Sequence, residues 1–292
     1  MPAPALPILV AVDGSRASDA AIRYAAHEAQ RLGVGICLAH VVPSYVPMAP
    51  MLPLLPPDDL AEISRRVLTE SQRQAEKLLD QALVETVLLD GPRIPALMKA
   101  AEEARMVVVG HERHAAVRRL VTGSTLAGVA AHATTPVVAV PPEWDAPASP
   151  ARVVVGIKDP AHSHALVRNA LEVAQARGAG LTLVHAWELP SGYDDLIVDR
   201  IGEEEWRVRA TAEIDDAVAD ATEAMREGTP EVDVVVVHGQ PAQVLRDASA
   251  SAGLMVIARR RHAFPVGHLG GTARALLRES LAPVMVLPPA ED

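Results

Sequence analysis

Apolar residues fall into short runs that alternate with longer amphipathic stretches. In the first half the apolar runs are ILVAV, ICLAHVV, ETVLLD, MVVVG and PVVAV. Short runs rich in β-branched residues, without polar alternation, are typical of strands that are buried on both faces of a parallel sheet. The pattern therefore predicts a series of buried parallel strands, with helices in the stretches between them.

The helical stretches have an apolar stripe and recognisable ends. After Arg16 the stripe consists of Ala21, Ile22, Ala25, Ala29 and Leu32. Gly33 follows, and a glycine there predicts the end of the helix. Longer charged helix patterns run from about Asp58 to Ala82 and from about Glu203 to Arg226. Alternating strands and helices over about 140 residues predict a doubly wound α/β domain.

The second half of the chain repeats the first. ILVAVDGS, which begins at Ile8, matches VVVGIKDP, which begins at Val153, and Ser18 aligns with Ser163 at the same offset. Farther on, TPVVAVPP matches APVMVLPP. A period this long indicates duplicated domains rather than a solenoid. Because the junction PPEWDAPASPAR is proline-rich, we predict a first domain over 1–142, a linker over 143–151 and a second domain over 152–292.

Composition excludes several classes of protein. The formal net charge of −10 and an aromatic content of 2% argue against a nucleic-acid partner. Cys37 is the single cysteine, so the chain can form no internal disulfide, and we expect a reducing compartment. We interpret Cys37 itself as a small buried apolar residue rather than a reactive thiol. The start of the chain lacks a signal-peptide pattern, and no apolar run reaches the length of a membrane span. We therefore expect a soluble cytoplasmic protein with no membrane partner.

Candidate site residues follow the predicted strands. In a doubly wound sheet, ligands bind beyond the carboxyl ends of the strands. Asp13 follows the first strand, Gly110 ends the fourth, and Gly123, Ser124 and Thr125 open the next helix pattern. A carboxylate can accept hydrogen bonds from a base or a sugar, and a helix N-terminus can bind phosphate. Simple capping of the two helices is the alternative for both features.

Together these motifs resemble the universal stress protein family. The resemblance covers both halves and rests on VAVDGS, LAHVV, the glycine pattern from Gly110 to Ser124, and the closing PVVAV. It implies two Rossmann-like domains, each with a five-stranded parallel sheet flanked by helices. It also implies adenine-nucleotide binding and pairing through the fifth strands, hence intramolecular pairing of the domains and a homo-oligomer. The family also contains members that bind no nucleotide.

The resemblance carries over unequally to the two halves. In the first half Asp13 and Val41 match the adenine and ribose positions, and Gly110 and Gly123–Ser124 match the phosphate loop. Thr125 follows them as a further candidate, but Leu126 stands where a second serine is common. Arg113 replaces a loop glycine, where it could strain the loop, compensate by binding phosphate or point to solvent.

The second half departs further from the family pattern. Lys158 stands in place of Asp13, Ala258 in place of Gly110, and the loop carries Arg259, Arg260 and Arg261. The arginines either bind a phosphate or form a solvated face.

The resemblance implies a stress-response regulatory protein that binds ATP mainly in its first domain, and we expect binding without efficient turnover. Whether Mg²⁺ accompanies the nucleotide stays open. A nucleotide-independent scaffold and a weak nucleotide phosphohydrolase are the alternatives. His111 and His114 lack the spacing of a zinc-protease motif, so we predict no metal site there. His40 and His185 are interpreted as core histidines, and the proline-rich stretch before Asp58 as a loop over the sheet edge or a lid.

Overall fold

The computed structural model describes residues 5–42, 57–111, 125–188, 203–225, 228–259 and 269–289. The chain divides into two compact units, and the main change from one to the other falls between Ala146 and Pro147; residues 262–269 are grouped with the first unit. We refer to them as the first and the second domain.

The first domain alternates strands and helices along the chain. Its strands are β1 (Ile8–Ala11), β2 (Ile36–Val41), β3 (Val84–Leu89), β4 (Met106–Gly110) and β5 (Val137–Val140). Its helices are α1 (Arg16–Leu32), α2 (Pro57–Ala75), α3 (Arg93–Ala101) and α4 (Thr125–His132).

The second domain repeats this succession. Its strands are β6 (Val153–Ile157), β7 (Leu181–Trp187), β8 (Val232–His238), β9 (Leu254–Ala258) and β10 (Val284–Leu287). Its helices are α5 (His164–Arg177), α6 (Glu203–Glu223), α7 (Pro241–Ala248) and α8 (Gly271–Glu279).

The two sheets have the same strand order. In the first domain the order is β3-β2-β1-β4-β5, and every neighbouring pair in it is parallel. In the second domain the corresponding order is β8-β7-β6-β9-β10, again with parallel neighbours. The chain proceeds to opposite sides of the first strand in each domain, which creates a switch point between β1 and β4 and another between β6 and β9. The predicted doubly wound, five-stranded parallel sheets are confirmed.

Burial follows position in the sheet. The central β1 is buried, with Ile8 and Val10 fully inaccessible to solvent. The prediction that all runs are buried on both faces is wrong for β3, where Glu85 and Thr86 are exposed. β3 lies at the end of the sheet order, so one side of it has no neighbouring strand among the described residues.

The ends of the helices have local causes. The Ser15 side chain accepts a hydrogen bond from the Ser18 N–H and begins α1, and Gly33 ends it in the left-handed region at φ 65°. The predicted end near Ala82 is wrong for α2, which ends at Ala75. The Asp80 carboxylate then accepts from the Ala82 N–H at 2.9 Å and starts a separate 3-10 turn. α6 likewise ends at Glu223 rather than near 226.

The first turn of α1 lies directly against the end of β4. A Cβ atom added to Gly110 would stand 2.0 Å from the carbonyl oxygen of Ala17 and 2.2 Å from its carbon. Backbone atoms cannot yield as a flexible side chain can, so this contact requires a residue without a side chain. Gly110 therefore sets how closely α1 approaches the sheet.

We predict that Gly110→Ala lowers the free energy of unfolding by about 3 kcal/mol or more, because the new methyl overlaps the α1 backbone. Chemical denaturation followed by circular dichroism measures the effect. Gly271→Ala is the matched control, since a Cβ at Gly271 meets nothing within 4 Å. Equal stability of the two variants would contradict the close approach of α1 to β4.

Candidate functional site

The carboxyl edge of the first sheet brings several of the predicted site residues together. Val41 ends β2 and Gly110 ends β4, while Asp13 lies two residues beyond the end of β1. These strands are neighbours, with β1 between β2 and β4. Thr125 is the first residue of α4, the helix that follows β4. Arg113, Gly123 and Ser124 lie outside the described residues.

Asp13 belongs to a closed hydrogen-bonded turn. Its Oδ1 accepts from the Ser15 N–H at 3.0 Å and from the Ser18 hydroxyl at 2.5 Å. The Asp13 N–H in turn donates to the Ser18 Oγ at 2.9 Å. The helix cap is Ser15, and Asp13 holds the turn that leads to it. Both side-chain hydrogen bonds go to Oδ1, and a carboxylate can accept on both of its oxygens.

The turn favours the ionised form of Asp13. Burial raises the pKa of the Asp13 carboxyl, but hydrogen bonds from Ser15 and Ser18 and the positive charge of Arg93 together outweigh it, so the pKa lies below its ordinary value. The residue as a whole is exposed to solvent, although its carboxylate is partly enclosed by the turn. The edge therefore presents a fixed negative charge with acceptor capacity.

Two neighbouring features complete the first-domain edge. Val41 is 6% exposed, so the end of β2 is apolar and almost fully covered. The loop after β1 turns at Gly14, which has φ 78°. A Cβ at Gly14 would lie 3.6 Å from both methyl groups of Val67, so α2 packs close to this loop. The loop that carries Asp13 thus packs against α2 at Gly14.

A histidine links the first two strands in each domain. The Nδ1 of His40 lies 2.7 Å from the Val12 carbonyl oxygen, and the Nδ1 of His185 lies 3.0 Å from that of Ile157. A carbonyl oxygen only accepts, so Nδ1 carries the hydrogen in both cases. Both histidines are more than nine-tenths buried. Their interpretation as satisfied core histidines is confirmed.

The corresponding turn of the second domain is built differently. Lys158 is exposed in the place of Asp13, and a 3-10 turn over Pro160–His162 follows it. Ser163, the counterpart of Ser18, donates instead to the Pro160 carbonyl oxygen at 2.7 Å. Pro241 occupies the place of Arg93 at the start of the next helix. The carboxylate turn and its nearby cation are therefore absent from the described part of this edge.

Aromatic rings occupy part of the second-domain edge. Trp187, the last residue of β7, stacks on Trp206 of α6 with ring centroids 5.3 Å apart. The ring centroid of His238, the last residue of β8, lies 4.4 Å from that of Trp187. Trp187 is 8% exposed, so the rings pack against protein rather than forming an open stacking platform. This packing favours a structural role for the edge.

The loop arginines of the second domain are described only at their beginning. Burial lowers the pKa of the Arg259 guanidinium, and its backbone N–H donates to the Leu287 carbonyl oxygen at 2.9 Å. Arg260 and Arg261 lie outside the described residues, so the two interpretations of this cluster both stand.

One group of metal-ligating side chains lies on the helices of the second domain. His164 Nε2 is 3.3 Å from a carboxylate oxygen of Asp220 and 3.8 Å from one of Asp216. Both aspartates are exposed, and exposed acidic groups of this kind are common without a metal ion, so the group carries no metal assignment. Of the two histidines weighed in the sequence, His111 is buried and His114 lies outside the described residues.

The sequence interpretation missed two residues of the first-domain edge. Ser18 is 3% exposed and closes the Asp13 turn, and Arg93 supplies its positive charge from the start of α3. The spacing Asp-Gly-Ser-x-x-Ser could have indicated Ser18, because a hydroxyl one turn into a helix reaches back to its entrance. No local signal links Arg93 to Asp13, since 80 residues separate them in the sequence.

The lowered pKa of Asp13 predicts a pH-dependent stability. A carboxyl whose pKa is lower in the folded state stabilises the fold above its unfolded pKa, near 3.8, and loses that contribution as pH falls through the folded value. We expect Asp13→Asn to lower the free energy of unfolding by about 1 kcal/mol at pH 7, a value discounted for solvent screening. The difference should shrink between about pH 5 and pH 3.

Urea titrations of both proteins across this pH range provide the measurement. Asp159→Asn, at an exposed carboxylate beside His162, is the control variant. A difference between wild type and Asp13→Asn that stays constant down to pH 3 would mean that the charge of Asp13 does not stabilise the turn.

None of the helices in the described ranges is long and apolar enough to cross a membrane.

Comparison with known proteins assigns the family. The sequence model of the universal stress protein family matches residues 6–141 and again residues 151–288. The universal stress protein Rv1996 of Mycobacterium tuberculosis is 32% identical over 305 aligned residues, which cover 96% of this chain and 94% of the relative. A universal stress protein of Mycolicibacterium smegmatis is 30% identical, with 97% of each chain covered.

A solved structure shows the same fold at full length. The crystal structure of a universal stress protein from Archaeoglobus fulgidus DSM 4304 covers 99% of this chain and 98% of its own, with a TM-score of 0.69 and 19% identity. The two family matches in succession, the full-length relatives and the duplicated fold agree: the chain belongs to the universal stress protein family and carries two copies of its domain.

Proposed function

We propose that the first domain binds an adenine nucleotide, ATP, at the carboxyl edge of its sheet, and that the second domain serves as a structural partner. The observation that carries the proposal is the Asp13 turn. A carboxylate held ionised and oriented by Ser15 and Ser18, beside the apolar Val41, suits hydrogen-bond donors of a base or ribose next to an apolar ring.

The phosphates would lie toward the start of α4. A helix N-terminus carries unpaired N–H groups that favour anions, and Thr125 is the first residue of α4. Gly123, Ser124 and Arg113 complete this part of the proposed site on the strength of the family resemblance. Arg93 adds a positive charge near the same edge, and whether Mg²⁺ is bound with the nucleotide stays open.

The role that follows is regulatory. Among the described residues of this edge no general base or metal-ligand cluster stands near Asp13, and we propose binding without efficient turnover. A nucleotide-independent scaffold and a weak phosphohydrolase are the alternatives to be tested. A cytoplasmic location, intramolecular pairing of the two domains and homo-oligomerisation stay predictions.

We predict at most one ATP per chain, and loss of that binding in Asp13→Ala, because the acceptor is removed and the turn is opened. Isothermal titration calorimetry gives both stoichiometry and affinity. Asp159→Ala, the exposed carboxylate after β6, should bind like wild type. Asp13→Asn should retain the turn better than Asp13→Ala and separates loss of charge from loss of structure.

Two equal sites, or full affinity in Asp13→Ala, would refute the assignment to the first domain. A wild-type protein that takes up no ATP, and from which no nucleotide is identified by mass spectrometry after native purification, favours the scaffold. Formation of ADP in a single turnover favours the phosphohydrolase.

Arg113 provides a separate test of the phosphate loop. We expect its guanidinium to bind phosphate in place of the backbone N–H groups that a loop glycine would present to the ligand. Arg113→Gly should therefore weaken ATP binding roughly tenfold and AMP binding less. The remaining ATP affinity should depend less on salt than that of wild type. Titrations with ATP and AMP at low and high salt measure these differences. Tighter ATP binding by Arg113→Gly would show instead that the arginine obstructs the site.

A further inference from the structure

The chain that follows β5 stays on the first domain before it continues to the second. Residues 141–145, here called the strap, turn at Trp144, whose N–H donates to the Pro141 carbonyl oxygen at 3.0 Å. The indole ring of Trp144 meets the Tyr24 ring of α1 edge to face, with ring centroids 5.1 Å apart, and its centroid lies 6.0 Å from that of the His27 ring. The strap therefore packs on the middle of α1.

One arginine of α1 holds the backbone of the strap. Arg23 Nη2 donates to the Trp144 carbonyl oxygen at 2.9 Å and to that of Pro142 at 3.5 Å. Its Nε lies 3.6 Å from a carboxylate oxygen of Asp145, an ion pair that adds little because the Asp145 side chain is 90% exposed. Hydrogen bonds from a charged donor are stronger than neutral ones, so the guanidinium and the indole ring are the two main attachments of the strap.

The first helix of the second domain lacks the aromatic part of this surface. The residues of α5 that correspond to the three strap contacts of α1 are all exposed, and they are Arg168, Asn169 and Glu172. A proline pair follows the fifth strand in both domains, so the difference lies in the helix and not in the strand end. Among the described residues, the docked strap is therefore particular to the first domain.

The strap starts beside the proposed phosphate loop. Gly110 at the end of β4 pairs with Val140 at the end of β5, and the His111 N–H extends this ladder by donating to the Val140 carbonyl oxygen at 3.0 Å. The loop after His111 and the strap after Val140 thus leave neighbouring strand ends at the same edge. The first turn of α1 lies against Gly110, so one helix supports both the strand end and the strap.

We propose that the strap is a latch, in which Arg23 and Trp144 hold the end of β5 and thereby position the start of the phosphate loop. Both are positioning residues, because they act through the hydrogen bond between His111 and Val140 and not on the ligand. The latch stands on the contacts of the strap, whereas its effect on a nucleotide rests on the proposed function.

The latch can open without unfolding of the domain. Trp144 is half-buried, and its neighbours Glu143, Asp145 and Ala146 are exposed. Segments with few buried contacts open locally at a lower free energy than the core. When the strap is docked, the loop has a fixed start, and when the strap is open, that start is loose. A ligand that needs the fixed start favours the docked state.

Amide hydrogen exchange of the full chain, followed residue by residue by NMR, tests the latch without a ligand. In wild type the Trp144 N–H should exchange roughly tenfold or more slowly than that of Ser149 in the exposed chain that follows, after correction for intrinsic rates. In Trp144→Ala the His111 N–H should exchange roughly tenfold faster than in wild type, because the end of β5 is released. The Arg259 N–H, which donates to the Leu287 carbonyl oxygen in the second domain, should keep its rate.

Further variants separate the latch from a general loss of packing. Arg23→Gln removes the charged donor and should also speed exchange at His111. Trp144→Phe keeps an aromatic contact for Tyr24 and should restore slow exchange. Arg168→Gln, at the corresponding arginine of α5, is the matched control and should change nothing. An unchanged His111 rate in both Trp144→Ala and Arg23→Gln would overturn the proposal, as would a wild-type Trp144 N–H that exchanges as fast as that of Ser149.

Calorimetry with ATP tests the effect on the ligand. Trp144→Ala and Arg23→Gln should each bind ATP roughly three- to tenfold more weakly than wild type, and Arg168→Gln should bind like wild type. A wild type that binds no ATP would count against the proposed function, while the exchange rates would still decide whether the latch exists. Unaltered ATP affinity in both variants, together with faster exchange at His111, would refute the positioning role.

Discussion

The close contact between Gly110 and the first turn of α1 is the constraint on which the carboxyl edge of the first domain depends. A Cβ at Gly110 would overlap the Ala17 carbonyl group, so only glycine lets the helix begin against the end of β4. The helix in turn places Ser15 and Ser18 around Asp13. The close packing at Gly110, the end of β4, thus positions the carboxylate of Asp13, which follows β1.

The second domain has a different residue at the position of Gly110, and the start of its first helix differs as well. Ala258 supplies a Cβ where Gly110 has none, and the helix after β6 starts at His164. At the offset that aligns Val10 with Val155, the α1 start at Arg16 corresponds to Ala161, so this helix begins three residues later. A 3-10 turn fills the gap, and Ser163 bonds to that turn. The carboxylate, the hydrogen bond from a serine hydroxyl to it and the early helix start are missing together, as expected of parts that depend on one contact.

Much of the fold could be predicted because its causes are local. The β-branched runs, the apolar stripe of α1 and the stop at Gly33 are patterns within a few residues, and each of these elements lies where its pattern does. The break after Ala75 was missed because the helical pattern continues through it, while the competing Asp80 turn depends on a single side-chain hydrogen bond. A single hydrogen bond can decide where a helix ends, and the hydrophobic periodicity of the sequence does not reveal such a bond.

The candidate site was less predictable because its residues are distant in sequence. Gly110 was interpreted as part of a phosphate loop, whereas the described contact is with the Ala17 backbone. The two roles are compatible if the loop leaves room for a ligand on the side of Gly110 that does not face α1. Arg93 lies 80 residues from Asp13 in the sequence, and only the parallel order β3-β2-β1-β4 brings such positions to one edge.

Duplication also explains why the two domains can diverge in opposite respects. A single domain must keep both its ligand edge and its outer strand, whereas a tandem chain can keep each feature once. The first domain retains the carboxylate turn and an outer strand with Glu85 and Thr86 exposed. The second lacks the turn and fills part of the corresponding edge with the Trp187–Trp206 stack. Under the proposed function, ligand binding would then lie on one copy of the fold, and the same edge of the other copy would be free to change.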